Sequence, residues 1–165
     1  MRALLNRRLA SFGAVVVSFA LLAGCGSGRA GGDKRRSADS LRTFLIERDW
    51  QRWPEFFAPN ATINGSDFAL QIMRGSADGL NFSFKDLTLT IREQVAEPQR
   101  VATAFVLTGR HEQAFNDQPP THQRLEIDGF AFDRFENGKI VESLLFLDVW
   151  GVSGRAAAAA ASAAK

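Results

Sequence analysis

The chain has 165 residues, 45% of them hydrophobic, with a net charge of +2 and a single cysteine, which excludes an internal disulfide bond. Residues 1–36 carry seven Lys/Arg and one Asp (+6), whereas residues 37–165 carry thirteen Lys/Arg and seventeen Asp/Glu (−4). The net positive charge of the chain therefore comes from the N-terminal segment. We expect no nucleic-acid partner, because such a partner requires a basic face on the folded part itself.

The N-terminal segment has the pattern of an export signal. Arg2, Arg7 and Arg8 precede an uncharged run over residues 9–24, and this run is too short to span a bilayer comfortably. The ending Leu22-Ala23-Gly24-Cys25 resembles the lipobox of bacterial lipoproteins. The resemblance implies a signal peptide over residues 1–24, acylation of Cys25 and anchoring to a membrane of the cell envelope, with the domain outside the cytoplasm. The alternative is an ordinary signal peptide that contains a cysteine.

Two further segments are expected outside the folded domain. Residues 25–36 are rich in glycine and charge, which predicts a flexible linker after the lipidated cysteine. Its basic residues either remain solvated or lie against anionic headgroups. Residues 155–165 form an alanine-rich tail, for which we expect no functional site.

Between these segments, residues 37–154 are long enough for one domain with one core. Helical spacing of apolar residues predicts a first helix capped by Ser37, then a short helix that includes Trp53 and Phe57. A brief strand over residues 61–64 and a helix from Ser66 to about Ser76 follow. The domain is therefore expected to begin with helices.

Everything after Gly79 is predicted to be strand. Apolar residues alternate over residues 87–92, and residues 101–108 are almost wholly apolar, as in a central strand. The last two strands, residues 125–135 and 140–149, meet at Asn137-Gly138, a strong hairpin signal because both turn residues require positive φ. Helices followed by an antiparallel meander indicate an α+β fold, with a strongly bent sheet forming a cone around the helices. Such a cone offers a pocket for a small, largely apolar molecule.

Three segments carry a resemblance to a known family. They are "FKDL" at 84–87, the run from Leu107-Thr108-Gly109 through His111 and Phe115 to Pro119-Pro120-Thr121, and "RFENGKIVESLLFLDVWG" at 134–151. They are similar to the SnoaL-like polyketide cyclases of the nuclear-transport-factor-2-like superfamily. The resemblance implies the cone-shaped fold, whereas the superfamily includes cyclases, isomerases, dehydratases and pockets without a known reaction. The chain departs from the family at Gln113, Asp117 and His122, where glycines are usual, and at residues 63–65 and 152–154.

Asp148 is the candidate catalytic residue. The resemblance places it where the cyclases hold the aspartate that acts as acid and base in an aldol ring closure. A carboxylate in an apolar pocket wall would be desolvated, and its pKa would rise into a range useful for proton exchange. The alternative is a solvated aspartate that ends the strand. Trp150 is a candidate ligand-binding residue, expected beside Asp148 on the same face of a regular strand.

The remaining candidates are assigned to ligand binding. Arg134 matches a common family residue that could orient an acidic substrate, although an ion pair with Glu142 or Glu136 is the favoured interpretation. Phe132 and Trp53 are candidates for the pocket lining, with core packing as the alternative for Trp53. His111 is either catalytic or, as favoured, a loop histidine that caps backbone groups. We expect no metal and no cofactor, because neither histidine has a partner at ligand spacing and no nucleotide motif occurs.

These observations favour a lipid-anchored envelope protein whose domain binds a small apolar molecule. A first alternative is a cofactor-free cyclase or isomerase that uses Asp148. A second is a non-catalytic module that forms a homodimer, or docks a partner, through the open face of its sheet.

Overall fold

The computed structural model describes residues 25–151 and residue 154, so the expected signal peptide and the expected tail lie outside the described residues. Helix α1 (Cys25–Leu41) continues into a π-helical segment (Arg42–Glu47) and a 3₁₀ turn (Trp50–Arg52). There follow, in order, α2 (Trp53–Phe56), β1 (Phe57–Ile63), α3 (Ala69–Ser83), β2 (Phe84–Glu97), β3 (Arg100–His111), β4 (Arg124–Glu136) and β5 (Lys139–Leu147). None of the helices within the described residues is long and apolar enough to cross a membrane.

The five strands form one sheet in the order β1-β5-β4-β3-β2. β2 to β5 are antiparallel to their neighbours, as the sequence predicts, whereas β1 joins the edge of β5 in parallel. The turn between β4 and β5 has positive φ at Asn137 (50°) and Gly138 (75°), which confirms the hairpin. Helices packed against this sheet confirm the α+β fold.

The space between the helices and the sheet is filled by side chains. The largest fully buried aromatic residues are Phe44, Phe57, Phe84, Phe105 and Phe135. Gly129 makes room for one of them, since a Cβ at this position would lie 2.3 Å from the Phe105 ring. The interior of the expected cone is therefore a packed core.

The structure differs from the sequence-based expectations at several element boundaries. Residues 25–36, expected as a flexible linker, belong to α1, and Ser37 lies within this helix instead of capping it. Phe57 begins β1 instead of ending a helix. α3 continues past Gly79 to Ser83 because Leu80 packs in the core. The last strand ends at Leu147 instead of Val149.

A buried polar cluster joins α1 to the sheet and explains the helical conformation of the expected linker. Asp133 of β4 is 2% exposed and accepts hydrogen bonds from Ser37 Oγ (2.5 Å) and Ser143 Oγ (2.7 Å). Ser37 Oγ also lies 3.0 Å from Thr103 Oγ1 of β3. Burial raises the pKa of Asp133, and the two serine hydroxyls oppose this shift. Because burying Ser37 in this cluster requires a docked helix, the contact fixes the position of α1.

Candidate functional site: an open cleft between α3 and the end of β5

An open cleft of about 200 Å³ lies where α3 meets the end of β5. Its apolar lining comes from α3, from the loop after β3 and from the end of β5, at Leu80, Phe115, Leu147 and Val149. Small or polar residues complete it at Gly75, Ser76, Gly79 and Asn116. The cleft is therefore largely apolar and opens at one end of the helix–sheet layer.

The sequence of α3 explains why the cleft stays open. Gly75 and Gly79 are one helical turn apart on the same face, and no heavy atom lies within 4 Å of a Cβ built at either position. Leu80, next to Gly79, is buried in the core and holds the helix against the sheet. Larger residues at the two glycines would extend into the cleft.

The loop that carries Phe115 is held by a tight turn. Phe115 and Gln118 exchange backbone hydrogen bonds of 3.0 Å, and the two residues between them, Asn116 and Asp117, have φ of 46° and 61°. The Phe115 ring packs edge-on against Phe84, with the ring centroids 5.1 Å apart. Asp117, like His122 (φ 58°), adopts a left-handed conformation that glycine accepts without strain. These are two of the positions at which the resemblance described above implies glycine.

His111 lies behind Phe115 and does not line the cleft. It is fully buried, and its ring stacks on Phe84 at 5.1 Å. Nδ1 is 3.4 Å from Thr121 Oγ1, whereas Nε2 has no hydrogen-bond partner among the described residues. Burial lowers the pKa of His111 and outweighs a backbone hydrogen bond at Gln113 that raises it. The ring is therefore neutral near neutral pH.

Asp148 is half-buried and lies between two cleft residues, Leu147 and Val149. Its backbone N–H donates to Asp128 O (2.8 Å), and its Oδ1 accepts a hydrogen bond from the N–H of Gly151 (2.9 Å). The chain becomes helical at Val149, so Asp148 caps this helical turn. Because the strand does not continue, the expectation that Trp150 shares a face with Asp148 is wrong: Trp150 is 81% exposed and does not line the cleft.

Arg134 and Phe132 lie on the other side of the sheet from the core, since the inward positions of β4 are the odd-numbered residues. Arg134 Nε is 3.0 Å from Glu142 Oε2, and Arg134 Nη1 also contacts Glu136. The favoured ion pair is thus confirmed. Phe132 and Arg134 line a separate groove of about 170 Å³.

Trp53 packs at the far end of the domain. Its ring stacks on Phe57 at 3.9 Å and contacts Phe44 at 5.2 Å. The adjacent Pro54 accepts a hydrogen bond from Lys139, the first residue of β5, whereas Asp148 follows the last one. Core packing, the alternative given for Trp53, therefore describes its contacts. Within the described ranges, 25–151 and 154, no group of three His, Cys, Asp or Glu could hold a metal ion.

The structure thus separates the candidate residues. Only Asp148 lies beside the cleft, His111 is behind Phe115, and Arg134, Phe132, Trp53 and Trp150 are elsewhere. The lining residues of α3 were missed. The spacing of Gly75 and Gly79 could have indicated an open helix face, but glycine has no side chain that would mark it as a catalytic candidate.

The family model of the SnoaL-like polyketide cyclases matches residues 36–153. The chain belongs to the SnoaL-like polyketide cyclase family. The matched residues include the cleft, Asp148 and the complete sheet, so residues 36–153 are called the SnoaL-like domain below.

Solved structures agree on the fold. TsrD from Streptomyces laurentii superposes with a TM-score of 0.65 at 16% identity, covering 78% of this chain and 96% of its own. IdmH from Streptomyces antibioticus superposes with a TM-score of 0.65 at 23% identity. The match covers 76% of this chain and 98% of IdmH. A SnoaL-like polyketide cyclase from Agrobacterium tumefaciens superposes with a TM-score of 0.62 at 20% identity. The match covers 74% of this chain and 95% of the cyclase. No curated protein matches the chain. At these identities the likeness concerns the SnoaL-like fold alone.

Proposed function

We propose that the protein is a lipid-anchored lipoprotein of the bacterial cell envelope whose SnoaL-like domain binds a small, largely apolar molecule in the cleft beside α3. The cleft carries the binding part of the proposal, because it combines four apolar lining residues with two open glycine positions. Its volume of about 200 Å³ lies below the ~300–1,000 Å³ of typical ligand pockets. It therefore suits a small ligand, or one part of a larger one.

Binding is tested by thermal shift with a library of small apolar molecules, because a ligand that binds only the folded state raises the melting temperature. Molecules that stabilise the wild type are then measured on Gly79→Leu, which fills the cleft. Gly31→Leu is the matched control, since Gly31 is also an exposed helical glycine with nothing within 4 Å of a Cβ. The proposal predicts that Gly79→Leu abolishes the shift and Gly31→Leu retains it; equal shifts in both variants would refute it.

Anchoring is tested by labelling cells with a radioactive fatty acid. The lipobox-like ending at Cys25 predicts a labelled wild type and an unlabelled Cys25→Ser variant. The two or three acyl chains expected at this cysteine would hold the domain at the membrane firmly, whereas one chain binds only marginally. Label on the variant would reject the lipoprotein interpretation.

A cofactor-free cyclase or isomerase is the second candidate, supported by the place of Asp148 between two cleft residues. In the cyclase reaction Asp148 would take a proton from a carbon next to a carbonyl group. The resulting enolate carbon would bond to a second carbonyl carbon of the same molecule, whose C=O π bond breaks, and Asp148 would return the proton to the alkoxide oxygen so formed. The substrate class would be small poly-β-carbonyl compounds. Asp148→Asn keeps the helix cap but loses the proton-accepting group, so turnover should disappear while the fold remains. Unchanged turnover in this variant would exclude the role.

Self-association is the third candidate, supported by the outer face of the sheet, the side away from the helices. Phe130 is paired with Phe146, and Phe132 with Leu144, across β4 and β5. Phe146 is 62% exposed. These four residues form an apolar patch, which Val95 of β2 extends on the far side of β3. With strands about 4.8 Å apart and residues about 3.3 Å apart, four strands by five residues cover roughly 300 Å². This area lies within the ~300–600 Å² of the largest apolar patch on a typical monomer, and such patches are often functional.

The charges around this patch favour a second copy of the chain as the partner. Arg100 and Arg134 are paired neighbours at one end of the patch, and Asp128 lies at the other end, two residues before Phe130. Because Arg134 is paired with Glu142 and Glu136, Arg100 supplies the cationic charge at this end. A twofold axis that reverses the strand direction brings Arg100 of one copy over Asp128 of the other. Light scattering of Phe146→Glu should then report a monomer, and Phe82→Glu, an equally exposed Phe on α3, should remain dimeric. A monomeric wild type would reject this candidate.

A further inference from the structure

The charge of the protein is divided between α1 and the rest of the domain. Residues 25–42 carry five basic side chains against Asp33 and Asp39, whereas residues 43–165 carry twelve Lys/Arg and sixteen Asp/Glu. The basic residues are Arg29, Lys34, Arg35, Arg36 and Arg42. Because Asp33 is buried, Asp39 is the one exposed carboxylate within this segment. The surface of α1 is therefore strongly cationic on an otherwise acidic domain.

The rotation of α1 about its axis is fixed. Its buried side is formed by Asp33, Ser37, Ser40 and Leu41, at the three- and four-residue spacing of one helical face. The hydrogen bond from Ser37 to Asp133 holds this side against β4. The opposite side consists of exposed residues at Gly28, Gly31, Gly32, Arg35, Asp39 and Arg42. It presents three glycines, two arginines and the carboxylate of Asp39, with no large apolar side chain, to the surroundings of the domain.

Helix α1 also begins at the residue for which we propose lipid attachment. At about 1.5 Å per residue, Arg35 lies roughly 15 Å along the helix from Cys25. The glycines between them allow a close approach of the backbone to a flat surface. Acyl chains at Cys25 would thus bring the cationic side of α1 to the surface of the bilayer.

We propose that the exposed basic side chains of residues 29–42, which are Arg29 near the start of α1, Arg35 on its outward side and Arg42 just after it, bind the phosphate headgroups of anionic phospholipids. The inference rests on the proposed anchoring, to which it adds an orientation: the domain lies with α1 on the membrane and the α3 cleft away from α1. The absence of large apolar side chains on this described face predicts electrostatic binding without insertion. Each basic residue near an anionic bilayer contributes roughly a fivefold gain in binding constant.

The test uses the chain from residue 25 onward with Cys25→Ser, so that no acyl chain contributes. Every residue of the described hydrophobic core lies between positions 41 and 145, and this form retains all of them. Binding is measured by co-sedimentation with vesicles of phosphatidylglycerol and phosphatidylcholine, and with phosphatidylcholine alone. The triple variant Arg29→Gln, Arg35→Gln, Arg42→Gln is compared with Lys85→Gln, Arg92→Gln, Arg124→Gln, which removes equal charge from exposed strand positions outside the candidate dimer patch.

The α1 triple variant should bind phosphatidylglycerol vesicles at least about tenfold more weakly than the strand triple variant. Added salt should weaken binding of the wild type, and phosphatidylcholine vesicles should bind none of the three proteins. Equal losses in the two variants, or equal binding to both kinds of vesicle, would overturn the proposal. Failure of the anchoring itself would appear separately, as absent fatty-acid label on Cys25. Circular dichroism confirms that each variant is folded.

Discussion

Ser37 on α1 donates a hydrogen bond to Asp133 on β4, 96 residues away in the chain, over 2.5 Å in the protein interior. Both residues are at most 2% exposed. A buried carboxylate needs hydrogen-bond donors in place of water, and Ser37 and Ser143 supply two of them. The contact thus joins the glycine-rich N-terminal helix to the centre of the sheet.

Ser37→Ala should lower the free energy of unfolding by about 1–3 kcal/mol, because one of the donors to a buried carboxyl group is lost. Urea denaturation followed by circular dichroism measures the change. Ser76→Ala on α3 is the control: its hydroxyl bonds to Ile72 O within the same helix and should contribute less than about 1 kcal/mol. Equal losses in the two variants would contradict a special role for the buried cluster.

Asp133 should make stability depend on pH. Since burial raises its pKa in the folded state, its contribution is fully present below the unfolded pKa of about 3.9 and is lost as pH rises through the folded pKa. Asp133→Asn cannot ionise and should lose less stability than the wild type over this range. Urea denaturation at several pH values between acidic and neutral checks this. Parallel profiles for the two proteins would show that Asp133 does not titrate there.

Asp148→Ala should destabilise the helical turn after β5 by about 1 kcal/mol, the usual cost of removing an N-cap, whereas Asp148→Asn should retain most of it. Hydrogen exchange at the amide of Gly151 reports the effect directly, since this amide donates to Asp148 Oδ1. Unchanged protection of Gly151 in the alanine variant would refute the capping role. The stability of these two variants, compared with the turnover of Asp148→Asn, distinguishes a capping role of Asp148 from a catalytic role.

Gly129→Ala and Gly79→Ala should change stability in opposite directions. A methyl group at Gly129 would lie 2.3 Å from the Phe105 ring, and relieving this overlap typically costs about 1–3 kcal/mol. At Gly79 the methyl group meets no neighbour within 4 Å, and alanine in an exposed helix gains up to about 1 kcal/mol. Thermal unfolding of both variants tests the pair. A tolerated methyl at Gly129 would mean that the core beneath the sheet is not closely packed.

Local sequence patterns predict much of the sheet. The alternation of apolar residues predicts β2, and Asn137-Gly138 predicts the hairpin with its positive φ angles. The ion pair between Arg134 and Glu142 follows because residues on paired strands lie opposite one another. Each of these features depends on neighbours in the chain or on the adjacent strand.

The conformation of α1 and the surroundings of Asp148 depend on contacts between distant segments. Four glycines at positions 26, 28, 31 and 32 disfavour a helix by roughly 2–4 kcal/mol relative to alanine, which is why the sequence predicts a linker there. The buried bond from Ser37 to Asp133 and the packing of Leu41 offset this preference. The sequence likewise predicts that Asp148 lies in the last strand, which was expected to continue to Val149. In the structure the chain is helical from Val149, and the Gly151 amide donates to the Asp148 carboxylate.

The sequence by itself determined the α+β class and the antiparallel strands, because these depend on periodicity and turn residues that act locally. Its motifs separately carried the resemblance to the SnoaL-like family. Only the tertiary structure decided that the cone is filled and that the open space lies at its edge. Whether a space remains depends on the summed volumes of side chains from separate elements, such as Phe105 over Gly129. The cleft exists because Gly75 and Gly79 leave room opposite Leu147 and Val149. Such an arrangement is fixed only when α3 packs against the end of β5.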